Sequence, residues 1–123
     1  MVKKRILLIE DEADMVYALT LQLEAVHYEV LSAADGQVGL DMARKEKPDL
    51  IILDLMLPRM DGYKICKTLK SNPHMAELKI CFISAKTKPE DVRKGMECGA
   101  DDYFTKPFSN SQLIAKVRDL VGK

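Results

Sequence analysis

The amino-acid sequence predicts an α/β protein with a flavodoxin-like, doubly wound, five-stranded parallel sheet in the order 2-1-3-4-5 and five helices. Short apolar segments alternate along the whole chain with segments of helical period. The segments at 6–9, 50–53 and 80–83 are continuously apolar, as central parallel strands covered by helices on both faces should be. The segments at 29–33 and 103–105 are mixed or short, which suits the two edges of the sheet.

Four of the helices follow from spacing and stop signals. The first rests on a helical repeat of apolar residues before position 27, and the second spans about 36–46 and stops before Pro48. The third spans about 62–71. The fifth helix is predicted by a closely spaced apolar set near the carboxyl end: Leu113, Ile114, Val117, Leu120 and Val121.

The fourth helix has the weakest apolar face. It begins near Pro89, a good first-turn residue, and ends at Gly99, a left-handed cap. Its face consists mainly of Val92 and Met96, which predicts a weakly anchored and mobile element. Right-handed crossovers would place the first and fifth helices on one face of the sheet and the other three helices on the opposite face.

Composition narrows the function classes. A chain of 123 residues suits one domain, predicted here to span 1–123. Its 19 basic and 19 acidic residues give a net charge of +0, so we expect no direct nucleic-acid binding. No apolar run reaches membrane-spanning length, so we expect no membrane association. Cys66, Cys81 and Cys98 lack C-x-x-C spacing, which argues against a disulfide framework and favours the reducing cytoplasm.

Polar side chains follow four of the predicted strands. Glu10 and Asp11 follow the first strand, Asp54 the third, Ser84 the fourth and Lys106 the fifth. The carboxyl ends of parallel strands share one edge, so three acids, a hydroxyl and an ammonium should converge in one crevice. This inventory suits a divalent metal and a phosphoryl group.

The three acids predict a magnesium site. Glu10, Asp11 and Asp54 would repel one another without a cation. Mg²⁺ prefers octahedral oxygen ligands, and the backbone carbonyl of Met56, two residues past Asp54, is a further candidate ligand. Acids at strand ends can also simply cap the following helix, and Asp11 or Asp14 could do so here. The complete set favours the metal site.

Asp54 is the candidate nucleophile, because a carboxylate can attack phosphorus if cations neutralise the transferring oxygens. Lys106 precedes Pro107, and a fixed Lys-Pro geometry, with a cis bond as one option, would aim the ammonium at the acids. Ser84 could donate a hydrogen bond to a phosphoryl oxygen. Taken singly, Lys106 is typical of a surface lysine and Ser84 of a turn serine. The ring of Tyr103, one strand over from Ser84, could sense its movement or simply pack on the fifth helix.

The chain resembles the response-regulator receiver domains of two-component signalling over essentially its whole length. The matching segments are ILLIEDE at 6–12, PDLIILDLMLP at 48–58, MDG at 60–62, ISA at 83–85, GADDY at 99–103 and KPF at 106–108. Each of these segments is weak alone, and together they are highly specific.

The resemblance implies a phosphoacceptor switch. Asp54 would accept a phosphoryl group from a sensor histidine kinase, a phosphotransfer protein or a small phosphodonor, with Mg²⁺ held by Glu10, Asp11 and the Met56 carbonyl. Lys106 and Ser84 would contact the phosphoryl group, and Tyr103 would rotate inward. The surface of the fourth helix, fifth strand and fifth helix would then change and control a downstream output protein or domain.

Three alternatives remain at this stage. The segment around Tyr103 resembles receivers attached to winged-helix transcription factors, so the chain could be the excised receiver of a DNA-binding transcriptional regulator. Val92 and Gln112 disfavour the usual dimer face of those receivers, and homodimerisation on phosphorylation stays open. A haloacid-dehalogenase-type phosphatase would need a second acid where Met56 stands. A flavin- or nucleotide-binding module would need a phosphate-cradling first loop, which the acids at 10–12 oppose. The preferred interpretation is a phosphoacceptor, not an enzyme.

Overall fold

The computed structural model describes residues 2–75 and 77–122. Within these residues the strands are β1 Arg5–Ile9, β2 Glu29–Ala33, β3 Leu50–Asp54, β4 Lys79–Ser84 and β5 Asp102–Thr105. The α-helices are α1 Ala13–Ala25, α2 Gly36–Glu46, α3 Gly62–Lys70, α4 Pro89–Glu97 and α5 Asn110–Val121. A short 3₁₀ turn at Pro73–Met75 precedes β4.

The five strands form one parallel sheet in the order β2-β1-β3-β4-β5, which confirms the predicted fold class and strand order. The register aligns the carboxyl ends of the central strands. Ile9 pairs with Leu53, and Asp54 pairs with Ile83. The residues that follow β1, β3 and β4 therefore meet at one edge of the sheet.

Two apolar cores cover the two faces of the sheet, as the handedness of the crossovers predicts. On one face, Leu19 and Leu23 of α1 and Leu113 and Val117 of α5 pack on alternate strand residues. On the other face, residues of α2 and α3 pack on the remaining strand residues, and the partly buried Tyr103 lies against this second core. Because successive strand side chains point to opposite faces, the continuously apolar central strands supply both cores.

Helix starts use side-chain caps at several places. Asp35, Asp61 and Ser109 accept hydrogen bonds from backbone amides in the first turns of α2, α3 and α5. The N-cap of α1 is Glu12, which makes no side-chain capping bond. The capping role considered for Asp11 or Asp14 is therefore wrong.

The close approach of α2 to β1 requires a glycine. A Cβ atom added to Gly39 would lie 2.5 Å from the Cδ1 atom of Ile9, which is fully buried at the centre of the sheet. Elsewhere the backbone takes left-handed values at Gly99, as predicted for the end of α4, and at Lys47, which ends α2 before Pro48.

The residues that anchor α4 differ from those that the sequence predicted. Val92 is only half-buried and Met96 is 43% exposed. The one buried residue of this helix is Gly95, whose backbone rests on the aromatic side chains beneath it. The prediction of a weakly anchored helix agrees with this packing, but the predicted apolar face was wrong because a glycine carries no apolar side chain for a periodicity analysis to detect.

Cys66, Cys81 and Cys98 are all free thiols, which agrees with the prediction that they form no disulfide framework. Burial raises the pKa of the Cys66 and Cys81 thiols to about 12, so both are protonated and poorly reactive at neutral pH. Among the residues that the structure describes, no helix combines the length and the apolar character needed to cross a bilayer.

Candidate functional site

Strand register places three carboxylates together at the carboxyl edge of the sheet. Glu10 follows the β1 residue that pairs with Leu53, so it lies beside Asp54 at the end of β3. One ligand oxygen each from Glu10, Asp11 and Asp54 can be chosen so that all three lie within 4.8 Å of one another. Glu10 is 1% and Asp54 5% exposed, whereas Asp11 is exposed to solvent. The predicted acidic cluster is thus present, with one open side.

The ammonium of Lys106 lies between two of these carboxylates. Its Nζ atom is 3.0 Å from Oε1 of Glu10 and 3.2 Å from Oδ2 of Asp54. The Lys106–Pro107 peptide bond is cis, and the amide of Lys106 donates a hydrogen bond to the carbonyl of Ser84 at 2.6 Å. The hydrogen bond between Lys106 and Ser84 fixes the start of the β5–α5 connection beside the end of β4. Lys106, which taken singly is typical of a surface lysine, therefore lies in the acidic cluster, as the shared edge of the strands predicts.

Backbone amides orient the other carboxylate oxygens. The amide of Met56 donates to Oδ1 of Asp54 at 2.9 Å, and the amide of Glu12 donates to Oε2 of Glu10 at 3.1 Å. Together with Lys106, these donors contact both oxygens of each carboxylate. The sequence could not reveal the two amides, because any residue supplies a backbone N–H. The Met56 carbonyl stays a predicted metal ligand.

Burial and like charge strongly perturb Glu10. Desolvation and the neighbouring Asp54 raise the pKa of Glu10 to about 7, although the Lys106 ammonium and the Glu12 amide oppose this rise. For Lys106, burial lowers the pKa, but its hydrogen bond to Glu10 and the charge of Asp54 outweigh burial and raise the pKa overall. The ammonium therefore stays charged at neutral pH.

Ser84 and Tyr103 are linked through the residue that follows the end of β4. Ser84 is fully buried, and its Oγ accepts a hydrogen bond from the amide of Lys86 at 3.0 Å. The hydroxyl of Tyr103 donates to the carbonyl of Lys86, also at 3.0 Å. Register pairs Tyr103 with Phe82, whereas Thr105 pairs with Ser84. Ser84 and Tyr103 are therefore not paired across the sheet, yet both bind the backbone of Lys86, Ser84 through the amide and Tyr103 through the carbonyl.

The alternative placement of Tyr103, packed on the fifth helix, is wrong. Its ring lies 6.0 Å from the ring of Phe82 and directly beneath Gly95 of α4. Sequence reasoning also missed Tyr63, whose ring packs on the other side of Phe82 at 5.8 Å. The available signal was an aromatic residue in the first turn of α3, directly after the MDG segment.

The chemistry of the donor set fits magnesium. The cluster offers carboxylate oxygens, with no imidazole or thiolate among the three grouped residues. Such hard oxygen ligands suit Mg²⁺, which keeps several waters and needs only one or two protein carboxylates. The exposed Asp11 leaves the cluster open to water and to a ligand on one side.

The chain belongs to the response regulator receiver domain family, whose model matches residues 6–118. Receiver domains of this family are the signalling switches of two-component systems. The resemblance proposed from the sequence motifs is thereby confirmed.

Relatives and solved structures agree with this assignment. The chain is 42% identical over 120 residues to the alkaline phosphatase synthesis transcriptional regulatory protein PhoP of Bacillus subtilis, and the match covers 98% of this chain and 49% of PhoP. It is 40% identical over 123 residues to the probable transcriptional regulator ycf27 of Porphyridium aerugineum, covering 100% of this chain and 50% of that protein. The chain therefore spans about half the length of these two curated relatives.

Among solved structures, a putative response regulator from Chloroflexus aurantiacus is 32% identical, with a TM-score of 0.92 and coverage of 99% of this chain and 100% of that chain. The chemotaxis response regulator CheY4 of Vibrio cholerae is 27% identical, with a TM-score of 0.90 and coverage of 97% and 99%. Both extend over nearly the whole of the chain.

Proposed function

We propose that this chain, as one receiver domain spanning 1–123, is a phosphoacceptor switch that takes a phosphoryl group onto Asp54. The donor would be the phosphohistidine of a sensor histidine kinase or a phosphotransfer protein. The observation that carries the proposal is the environment of Asp54. Its two oxygens face a backbone amide and the Lys106 ammonium, at 2.9 and 3.2 Å, beside two further carboxylates.

In the proposed reaction, a carboxylate oxygen of Asp54 attacks the phosphorus atom, and a new P–O bond gives an acyl phosphate. The P–N bond to the donor histidine breaks, and its electron pair stays on the imidazole, which takes up a proton. The ammonium of Lys106 already lies against Asp54, so it would stabilise the negative charge on the phosphoryl oxygens by forming an ion pair with them. Ser84 would turn its hydroxyl from the Lys86 amide toward a phosphoryl oxygen.

Glu10, Asp11 and Asp54, with the Met56 carbonyl, would hold the Mg²⁺ ion that this donor set suits. Bound Mg²⁺ would offset the negative charge of the acids and of the incoming phosphoryl group. Glu10, which is buried and has a pKa of about 7, is positioned to respond to an added cation by losing its proton.

The proposed readout follows from the shared contacts of Lys86. If Ser84 gives up its hydrogen bond to the Lys86 amide, the segment between β4 and α4 is released and can move. The hydrogen bond from the Tyr103 hydroxyl to the Lys86 carbonyl then either breaks or moves with that segment. The Tyr103 ring already faces inward against Phe82, so it would change position with the Lys86 segment, and α4, which rests on this ring, would shift. The output partner would then recognise the altered surface of α4, β5 and α5.

A transcriptional output is favoured by the curated relatives that are named as transcriptional regulators. In that case the chain would control a DNA-binding partner or domain and would not bind nucleic acid directly, consistent with its net charge of +0. We further propose that it works in the reducing cytoplasm, which suits its three free thiols. Analytical ultracentrifugation of the phosphorylated chain would show whether phosphorylation also drives homodimerisation.

The test is incubation with acetyl phosphate and Mg²⁺, followed by intact-protein mass spectrometry. We expect one added phosphoryl group in the parent chain, none in Asp54→Asn and none when EDTA replaces Mg²⁺. Asp14→Asn is the matched control, because Asp14 is an exposed acid in the first turn of α1, outside the acidic cluster, and should label normally. Undiminished labelling of Asp54→Asn would overturn the assignment.

A phosphatase of the haloacid-dehalogenase type is the competing enzymatic function. Such an enzyme needs an acid two residues after the nucleophile to protonate the leaving group, and Met56 stands there with its side chain 56% exposed. Steady release of many phosphate equivalents per chain from a phosphomonoester would favour that function over a switch.

A further inference from the structure

The anchoring of α4 depends on a row of three aromatic rings. Phe82 of β4 lies at the centre of the row, with Tyr63 on one side at 5.8 Å and Tyr103 on the other at 6.0 Å. A Cβ atom added to Gly95 would approach the Tyr103 ring to 3.1 Å and the Phe82 ring to 3.2 Å. The backbone of α4 therefore rests directly on the row, with no buried side chain of its own.

The hydroxyls at the two ends of the row hold two successive parts of the segment that runs from the end of β4 into α4. Tyr103 donates to the carbonyl of Lys86, in the connection that leaves β4. Tyr63 donates to the carbonyl of Asp91, in the first turn of α4, at 3.2 Å. Only the Tyr103 bond touches a residue that Ser84 also contacts. The Tyr63 hydrogen bond is a second attachment, from α3, although the Lys86 ammonium also lies 5.9 Å from the centroid of the Tyr63 ring.

A charged side chain strengthens the Tyr63 attachment. The Nζ atom of Lys94, one turn further along α4, lies 4.5 Å from the centroid of the Tyr63 ring, within the range of a cation–π interaction. The ring itself is 6% exposed. Burial raises the pKa of Tyr63 to about 12, so the hydroxyl is protonated and available to donate at neutral pH.

We infer that Tyr63 is a positioning residue that holds the first turn of α4 in its resting place and sets how readily the phosphoacceptor switch moves. The inference rests on the proposed function, because it supplies the attachment that a movement starting at Ser84 must release. A hydrogen bond made only in the resting arrangement stabilises that arrangement alone. Removing it lowers the cost of switching.

Tyr63→Phe tests the attachment, because it deletes the hydroxyl and keeps the ring and its stacking. Hydrogen–deuterium exchange of residues 89–95 in the unphosphorylated chain should become faster by roughly two- to tenfold, the range that one intramolecular hydrogen bond contributes to an equilibrium. Lys94→Gln should accelerate exchange in the same segment. Tyr28→Phe is the matched control: Tyr28 is also buried, and its hydroxyl also donates to a backbone carbonyl, that of Gly122 at 2.7 Å.

The second measurement is the affinity for beryllofluoride with Mg²⁺, used as a mimic of the acyl phosphate. Tyr63→Phe should bind it more tightly than the parent, by a factor in the same roughly two- to tenfold range, whereas Tyr28→Phe should bind it as the parent does. A merely structural loss at Tyr63 would lower the melting temperature without tightening this affinity.

The outcomes separate the inference from the proposed function. If the parent chain binds beryllofluoride and Asp54→Asn does not, the proposed function stands, and parent-like exchange and affinity in Tyr63→Phe would overturn the role of Tyr63. If the parent chain fails to bind the mimic at all, the proposed function fails. Faster exchange of residues 89–95 in Tyr63→Phe would then still support the attachment of α4.

Discussion

Raising the pH without divalent cations should destabilise the fold through Glu10. The folded chain raises the pKa of this carboxyl from 4.5 to about 7, chiefly by burial and then by contact with Asp54. Between these two values the folded state binds a proton that the unfolded state has released. Stability contributed by that proton is therefore fully present below about pH 4.5 and lost as the pH rises through about 7.

The size of the effect follows from the same two pKa values. The difference between 4.5 and about 7 corresponds to at most about 3 kcal/mol in the free energy of unfolding. Asp54 and Lys106 lie in direct contact with each other and Lys106 with Glu10, so the proton is shared among coupled groups and we expect about 1 to 3 kcal/mol.

The assay is urea unfolding of the parent chain and of Glu10→Gln in EDTA, at intervals from pH 4.5 to 8. Groups that do not contact Glu10 cancel in the difference between the two free energies, so the difference reports on Glu10 together with Asp54 and Lys106. It should change by the stated amount over this window, in the direction of a less stable parent at higher pH. Saturating Mg²⁺ should reverse part of the loss above pH 7, because the cation takes the place of the proton. A pH-independent difference between the two proteins would refute the reasoning.

Two further variants test the site and its support. Lys106→Ala should fold and accept a phosphoryl group, because Asp54 is still present. Phosphorylation should no longer change the amide exchange of α4, because the ammonium that contacts Asp54 is gone. An unaltered change in exchange would count against a relay role for Lys106. Gly39→Ala should lower the free energy of unfolding by about 1 to 3 kcal/mol, since its Cβ would lie 2.5 Å from the fully buried Ile9 and overpacking outweighs the helix propensity gained. An equally stable Gly39→Ala would show that Ile9 has room to move.

Apolar patterning predicted the fold closely because each central strand faces two cores. The strand Leu50–Asp54 is buried along its whole length, so its continuous apolar run identifies it as a central strand. The polar residue at its end then marks the position of the site. The acidic cluster was predictable for the same reason. The order and register of the strands bring the backbone of Glu10 beside that of Asp54.

Contacts made by backbone atoms and by glycine were beyond sequence reasoning. The amide of Met56 that orients Asp54 could belong to any residue, and Gly95 supports α4 with no side chain for a pattern to reveal. The link from Tyr63 to α4 joins residues 28 positions apart, whose meeting depends on the packing of two helices on the sheet. Periodicity identifies the face on which such residues lie but not their partners.

The most direct measurement of the central claim is the location of the phosphoryl group. The chain is treated with acetyl phosphate and Mg²⁺, its acyl phosphate is reduced with borohydride, and peptide mass spectrometry then identifies the residue that has become homoserine. The account predicts conversion at Asp54 alone, and only when Mg²⁺ is present. Conversion at Asp11, or conversion at Asp54 that persists unchanged in EDTA, would contradict it.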